Sequence, residues 1–135
     1  MYVSLLQARY PDMFDVIWNV DENIIDYQIP KMTLQPLIEN AIYHGIIPTE
    51  RHGQITVSIF DNNESFVISV RDNGCGINKE ELKKLNEEIM AFDNEKNIGT
   101  RNIYKRFNII YGEKFNVVYE SKEGIYTEVR LIVSY

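Results

Sequence analysis

The chain has 135 residues, of which 44% are hydrophobic and 25% are charged, and these values are typical of one globular domain. Its formal net charge of −6 argues against a general nucleic-acid binder, since a phosphate backbone requires clustered Lys and Arg. No stretch reaches the roughly 18 apolar residues of a membrane-spanning helix, and the single cysteine excludes an internal disulfide.

The first part of the chain predicts a short helix, a strand and a longer helix. Residues 2–9 are weakly helical, and residues 14–20 alternate in the manner of a half-buried strand. The longer helix is predicted to begin at Thr33, which is suited to the N-cap, and to reach about His44. Gly45 is interpreted as its C-terminal stop.

Two hairpins are predicted from the period-two alternation of apolar residues. The first joins strands at 55–59 and 66–70 through the polar turn at 61–64. The second joins strands at 115–119 and 125–133.

Two further helices are predicted between the hairpins. The first follows Asn78, which together with Glu81 resembles a capping box. Its inner face is predicted to carry Leu82, Leu85, Ile89 and Phe92. The second spans 100–111 and ends at Gly112. Its inner side is predicted to carry Ile103, Phe107 and Ile110.

This order of elements, β, α, β-β, α, α, β-β, predicts an α/β (α+β) fold with a mixed, mostly antiparallel sheet and helices on one face. A parallel doubly wound fold would need regular βαβ alternation, which is absent.

Asp72 is the first candidate functional residue. Alternation places it on the core side of its strand, together with Phe66, Ile68 and Val70. A carboxylate there is costly unless it is hydrogen-bonded, and the exocyclic amine of adenine is a suitable donor. Thr127, on an inward face of the last strand, could complete the hydrogen bonding through its hydroxyl or a water. The alternative is that Asp72 merely starts a turn, as Asp-Asn-Gly sequences often do.

Asn40 is the candidate metal ligand. At 100° per residue, Leu34, Leu37 and Ala41 share the core face of the predicted helix, and Asn40 lies at the edge of that face. A side-chain carbonyl in this place can bind a hard cation such as Mg²⁺. The alternative is an exposed Asn, or one bonded to the local backbone.

Glycines indicate where a ligand could approach the main chain. Gly74 and Gly76 allow positive φ or the close approach of a flat base. Gly99 precedes a helix whose N-terminus offers free N–H groups to a phosphate. The alternatives are an ordinary turn and an ordinary helix start. Cys75 lacks the context of a nucleophile and is interpreted as an incidental thiol.

These residues, in this order, resemble the catalytic ATP-binding domain of two-component sensor histidine kinases. Within these kinases the chain looks like the LytS/YesM-type subgroup, and the kinases themselves belong to the gyrase/chaperone/histidine-kinase (GHKL) superfamily. Residues 29–45, IPKMTLQPLIENAIYHG, resemble its N box, and residues 72–77, DNGCGI, resemble its G1 box. Residues 98–103, IGTRNI, resemble the G2 segment, and residues 122–127, KEGIYT, resemble the closing Gly-x-Gly-Thr. The resemblance covers nearly the whole chain.

The resemblance implies a two-layer sandwich that binds ATP and Mg²⁺ beneath a lid at about residues 78–98. It implies that Asn40 holds Mg²⁺ as the catalytic residue, and that Asp72 binds the adenine amine with Thr127 beside it. The implied nucleotide-binding set is Asn40, Tyr43, His44, Asp72, Gly74, Gly76, Ile77, Gly99, Thr100, Asn102 and Thr127. The implied reaction transfers the γ-phosphoryl group of ATP to a histidine, from which it passes to an aspartate of a response regulator.

The resemblance also implies partners outside this sequence. The phosphoacceptor histidine and the dimerisation helices are expected upstream, with residues 1–10 as the tail of a dimerisation helix and 11–135 as the catalytic domain. The response regulator of the same system is the expected downstream partner. The full-length protein is expected to be anchored in the cell membrane with this domain on the cytoplasmic side. Neither nucleic acid nor direct membrane contact by this domain is expected.

Several residues depart from the family pattern. Pro36 stands where hydrolytic relatives place the Glu that activates water, which argues for transfer or binding and against a stand-alone ATPase. Tyr43 replaces a frequent Lys, Thr100 replaces a Leu, and Tyr126 replaces a Gly. These replacements motivate an alternative function, a degenerate nucleotide-binding or signalling module without kinase activity.

Overall fold

The computed structural model describes residues 14–20, 34–88 and 98–134, with the backbone alone at 34, 88 and 98–102. Its strands and α-helices are β1 (Phe14–Val20), α1 (Leu34–Asn40), β2 (Gly53–Asp61), β3 (Ser65–Asp72), α2 (Lys79–Glu88), α3 (Ile98–Tyr111), β4 (Phe115–Lys122) and β5 (Tyr126–Ser134). The predictions for residues 1–10, Thr33, Ile89 and Phe92 lie outside the described residues. So does the distal part of the predicted lid.

The five strands form one mixed sheet in the order β1-β2-β3-β5-β4. β1 runs parallel to β2, and the other three neighbouring pairs are antiparallel. The predicted mixed, mostly antiparallel sheet is therefore confirmed. The mixture follows from the connections, because hairpins join β2 to β3 and β4 to β5, whereas a crossover containing α1 joins β1 to β2.

The core lies between one face of the sheet and the helices, as predicted for a two-layer sandwich. The largest fully buried side chains come from both layers: Leu37, Ile38, Ile42 and Ile46 from the helical side, and Ile55, Val57, Ile68 and Leu131 from the strands. None of the helices in the described ranges combines the length and apolar character that a bilayer crossing requires.

The predictions for the first and last strands of the chain need correction. In β1 only Phe14 is fully buried, while Trp18 and Val20 are exposed, so the strand packs on the core mainly at its start. The last strand was predicted from Ile125, but that residue lies in the preceding turn and is exposed. The Ile125 N–H donates to the Lys122 carbonyl at 2.9 Å, which closes the turn before β5 begins.

Gly45 does not end the first helix, contrary to the prediction. After α1 the chain continues as a π-helical segment, Ala41–Ile46, followed by a 3₁₀ turn, Ile47–Thr49. The helical path ends at Glu50, which has a left-handed φ of 55°. Gly45 is buried within this path, and its lack of a side chain is needed for packing against β3, described below.

The later helices follow the prediction in most respects. The Asn78 side chain caps α2 by accepting the Glu81 N–H at 2.9 Å. In α3, Ile103 and Phe107 are buried as predicted, but Ile110 is exposed and Tyr104 is buried instead. The inner face is therefore rotated toward Tyr104 relative to the prediction. Phe107 packs on β4 through a ring contact with Phe115 at 5.2 Å between centroids.

Candidate functional site

Asp72 ends β3 on the inner face of the sheet. The strand register places it between Ile55 of β2 and Thr127 of β5. Because side chains alternate along a strand, Asp72 and Thr127 point to the same side as the core residues Val70 and Val129. The residue is only 5% exposed. The predicted inward carboxylate is therefore present, and Thr127 is its cross-strand neighbour.

The Asp72 carboxylate accepts one hydrogen bond from the residues that the structure describes. The Gly74 N–H donates to Oδ1 at 2.8 Å. Burial raises the pKa of Asp72 to about 6, and the Gly74 N–H partly opposes that rise. A buried carboxylate with acceptor capacity to spare is suited to a ligand that brings a hydrogen-bond donor.

Gly45 allows the π segment to pack directly on Asp72. A Cβ at position 45 would lie 2.4 Å from Asp72 Oδ1, which is too close for any side chain. The widened turns of a π segment are rare and occur often at functional sites. Here the segment brings main-chain carbonyls of its last residues to the turn that follows β3.

The turn at residues 73–76 is held from two sides. On the helical side, the Cys75 N–H donates to the Gly45 carbonyl at 2.9 Å, and the Cys75 thiol donates to the His44 carbonyl at 3.1 Å. On the sheet side, the Gly124 N–H of the β4–β5 turn donates to the Cys75 carbonyl at 2.7 Å. Gly76 has a φ of +69°, which only glycine adopts without strain. Gly76 therefore adopts the positive φ that the sequence analysis allowed for this turn.

A cavity of about 270 Å³ opens beside Asp72, between α1 with its π segment, α2 and the sheet. Its lining consists of Leu37, Asn40, Ala41, His44, Gly45, Val70, Asp72, Gly76, Ile77, Leu85, Tyr119, Thr127 and Val129. Most of these side chains are apolar, and Asp72 is the charged one. The cavity is therefore an apolar slot with a carboxylate in its wall, the usual character of a small-molecule site.

The sheet side of this cavity is described by two successive rows of cross-strand neighbours, of which all members but Ser121 line it. We call Asp72, Thr127 and Ser121 the polar rung, since the register pairs Asp72 with Thr127 and Thr127 with Ser121. We call Val70, Val129 and Tyr119 the apolar rung, because they pair in the same way two residues further along each strand. The Thr127 and Ser121 hydroxyls lie 3.0 Å apart, and Ser121 Oγ accepts the Ile77 N–H at 2.7 Å.

The structure brings most of the sequence-predicted site residues together. Those that line the cavity are Asn40, His44, Asp72, Gly76, Ile77 and Thr127. Gly74 contributes its N–H to Asp72 without lining the cavity. Tyr43 is exposed and is not among the lining residues. Gly99, Thr100 and Asn102 lie in the first turns of α3, where the structure describes the backbone alone.

Sequence reasoning missed several lining residues, including Leu85 of α2 and Tyr119 of β4. A signal for them was present. Leu85 was predicted on the inner face of its helix, and Tyr119 ends the strand predicted at 115–119. What the pattern could not show is that these two inner faces meet beside Asp72.

Tyr126, the replacement of a family glycine, points away from the cavity. It precedes the inward residue Thr127 and therefore faces the opposite side of the sheet. There its ring lies 4.0 Å from the Arg71 guanidinium carbon, and its hydroxyl donates to Glu120 at 2.9 Å. The tyrosine therefore takes no space from the site.

Comparison with known proteins agrees with this geometry. Residues 11–134 match the family described as "Histidine kinase-, DNA gyrase B-, and HSP90-like ATPase". The sensor histidine kinase YpdA of Escherichia coli (strain K12) is 34% identical over 116 residues, which are 86% of this chain and 20% of that protein. The sensor protein LytS of Staphylococcus haemolyticus is 34% identical over 124 residues, which are 90% of this chain and 21% of that protein. The chain thus spans about a fifth of these relatives.

Solved structures show the same fold. The catalytic domain of histidine kinase ThkA aligns over 98% of this chain and 86% of its own, with a TM-score of 0.69 and 20% identity. The same kinase in complex with the response regulator protein TrrA gives a TM-score of 0.66 at 19% identity, covering 98% of this chain and 37% of that one. With the family match over nearly the whole sequence, this chain belongs to the histidine kinase-, DNA gyrase B- and HSP90-like ATPase family.

Proposed function

We propose that the cavity beside Asp72 binds the adenine of ATP, and that the bound nucleotide serves as phosphoryl donor to a histidine. The observation that carries this proposal is the buried Asp72 carboxylate, with one described hydrogen bond, in the wall of an apolar slot. The exocyclic amine of adenine supplies the missing donor, and the flat ring suits the apolar walls. At about 270 Å³ the cavity accommodates the base, whereas the phosphates extend out of it.

Asn40 is the proposed Mg²⁺ ligand. It lines the cavity at the end of α1, one helical turn before His44. Mg²⁺ commonly takes only one or two protein oxygens and completes its shell with water and phosphate, so a single amide oxygen fits this ion. Within the described ranges no three His, Cys, Asp or Glu side chains cluster as a metal site. When bound, Mg²⁺ neutralises phosphate charge during transfer.

The N-terminal turn of α3 is the proposed phosphate contact. Gly99 and Thr100 belong to this turn, whose first N–H groups lack partners within the helix and carry positive potential, and Asn102 follows it directly. The resemblance of residues 98–103 to the family's G2 segment supports this role. The resemblance of residues 29–45 to the N box supports Tyr43 and His44 as members of the nucleotide-binding set. Of these two, His44 reaches the cavity.

Transfer is favoured over hydrolysis at this site. Hydrolytic members of the superfamily carry a water-activating Glu four residues before the metal-binding Asn, and Pro36 stands there in this chain. Glu39 is adjacent to Asn40 in sequence, but it is not among the residues that line the cavity. The side chains of this site therefore hold and orient the nucleotide rather than activate water.

The proposed reaction needs partners beyond this domain. We propose that an upstream helical domain supplies the phosphoacceptor histidine and that a response regulator receives the phosphoryl group. The ThkA complex with TrrA supports the second pairing, since that kinase has the same fold. We also propose, from the family resemblance, that the full-length protein is anchored in the membrane with this domain on the cytoplasmic side. The net charge of −6 argues against nucleic acid as a further partner.

The Asn40→Ala variant tests the metal role. Because the proposed Mg²⁺ contact is lost, we expect the Mg²⁺-dependent gain in ATP affinity to fall by about tenfold. This corresponds to a loss of roughly 1.4 kcal/mol in binding free energy. Isothermal titration with ATP, with and without Mg²⁺, measures this change. Asn116→Ala, an exposed amide on β4, is the control and should titrate as the wild type does. Equal Mg²⁺ dependence in Asn40→Ala and wild type would contradict the role of Asn40.

A second variant tests whether the site is intact despite the family departure at Tyr126. Since this side chain lies on the far face of the sheet, Tyr126→Ala should change the dissociation constant for ATP by less than about twofold, whereas contacts in a ligand site are worth tenfold or more. The same titration measures it. An affinity that rose strongly in Tyr126→Ala would instead support the degenerate module, in which the tyrosine impairs binding.

A further inference from the structure

The side chain of Asn86 joins α2 to the open edge of the sheet. Among the described strands β4 lies at the edge, since the sheet order places it last. Asn86 Nδ2 donates to the Tyr119 carbonyl at 3.0 Å, and Asn86 Oδ1 accepts the Tyr119 N–H at 2.9 Å. A neighbouring strand would make this same pair of bonds. One amide side chain thus satisfies both main-chain groups of an edge residue.

The residues joined in this way belong to the wall of the cavity. Leu85, next to Asn86 in α2, and Tyr119 itself both line it. The Tyr119 hydroxyl lies 2.6 Å from the hydroxyl of Tyr104, which is 3% exposed on α3. The tip of Tyr119 is therefore fixed by α3, and its backbone is fixed by α2.

The register shows where this wall lies relative to the carboxylate. Tyr119 belongs to the apolar rung, two residues along the strand from the polar rung that contains Asp72. Two residues of strand correspond to roughly 7 Å, about the length of a purine ring system. A base that places its amine at Asp72 would thus extend beside the surface formed by Leu85 and Tyr119.

We propose that Asn86 is a positioning residue of the nucleotide site. By binding both main-chain groups of Tyr119, it holds α2 against β4 and keeps Leu85 and Tyr119 in contact distance of the bound base. This role rests on the proposed function, because it assumes that adenine occupies the cavity. Asn86 itself does not line the cavity and acts through its two neighbours.

The test compares Asn86→Ala with Glu87→Ala, the adjacent and exposed position on the same helix. The dissociation constant for ATP is measured by titration at a temperature where thermal melts show each variant to be folded. We expect about a tenfold weaker affinity in Asn86→Ala and no change in Glu87→Ala. A purely structural residue would leave this constant unchanged, since destabilisation alters apparent affinity only through the folded fraction.

Amide hydrogen exchange supplies a readout that needs no nucleotide. The Tyr119 N–H should exchange at least tenfold faster in Asn86→Ala, because its acceptor is gone, while the Val129 N–H of the interior strand β5 should keep its protection. Asn86→Asp retains an acceptor for the Tyr119 N–H but turns a carboxylate toward the Tyr119 carbonyl. Asn86→Asp should therefore preserve the slow exchange of the Tyr119 N–H and still weaken ATP binding. It replaces Asn86→Ala in the test if that variant does not fold.

The outcomes separate the two proposals. Failure of the wild-type domain to bind ATP would overturn the proposed function and this role with it. Wild-type binding together with unchanged affinity in both Asn86 variants would overturn the positioning role alone. Unchanged exchange at Tyr119 in Asn86→Ala would show that the paired hydrogen bonds do not hold this edge in solution.

Discussion

Replacement of Asp72 by Asn is expected to weaken ATP binding by about 10- to 100-fold, the range that corresponds to losing a hydrogen bond to a charged group. An amide has one acceptor oxygen and one donor nitrogen. If the oxygen keeps the bond from the Gly74 N–H, the nitrogen faces the donor amine of adenine. If the amide flips, the Gly74 N–H loses its acceptor. Titration of both proteins with ATP at about pH 7.5, where an ordinary carboxyl is ionised, measures the difference in affinity.

The same substitution is expected to stabilise the domain without ligand above pH 6. Asp72 has a pKa of about 6 in the folded state and an ordinary value of 3.8, so the native state binds protons more tightly than the unfolded state. The favourable contribution of Asp72 to the free energy of unfolding is fully present below pH 3.8 and is lost as the pH rises through about 6. The difference between these two pKa values corresponds to a loss of roughly 3 kcal/mol in stability when Asp72 is ionised. Asn carries no charge and does not suffer this loss.

Urea unfolding across this pH range measures the effect. The free energy of unfolding of Asp72→Asn, relative to wild type, should increase between about pH 4 and pH 7 and then level off. ATP affinity of the wild type should weaken as the pH falls through about 6, since a protonated carboxyl loses acceptor capacity. Glu113→Gln, an exposed carboxylate beyond the end of α3, is the matched control and should show neither change. A stability difference that does not vary with pH would contradict the burial of an ionisable Asp72.

Gly74→Ala is expected to cause the largest loss of stability among these variants. A Cβ at this position would lie 2.1 Å from the carbonyl oxygen of Gly45 and 2.2 Å from its carbonyl carbon. Main-chain atoms of a packed segment cannot move aside as a flexible side chain can. The turn and the π segment must therefore separate, which breaks the bond from the Cys75 N–H to the Gly45 carbonyl. We expect a loss of roughly 2–4 kcal/mol, as for an overpacked core site that also loses hydrogen bonds.

Gly112→Ala is the control for this variant. Gly112 has a positive φ of 59°, but nothing lies within 4 Å of the Cβ that would be added there. Its cost should be about 1 kcal/mol, from backbone strain alone. Urea unfolding measures both variants, and ATP titration should show lost affinity in Gly74→Ala only. Equal destabilisation in the two variants would show that the contact between the turn and the π segment is looser than the structure indicates.

The sequence alone determined those features that depend on neighbours along the chain. Period-two alternation was enough to place Asp72 and Thr127 on inward faces, because successive side chains of a strand point to opposite sides. The Asn78 cap and the helix end at Gly112 follow from local hydrogen bonding and backbone freedom. The motif order was sufficient to identify the family.

Only the tertiary structure decided features that depend on contacts between distant segments. Gly45 was predicted as a helix stop, yet its role is to let main chain approach the Asp72 carboxylate, which lies 27 residues later in the numbering. The contacts of Asn86 with Tyr119 and of Tyr104 with Tyr119 join residues with no local signal between them. The raised pKa of Asp72 likewise arises from burial by several elements at once. Pattern along the chain sets which way a residue faces, whereas packing sets what it meets there.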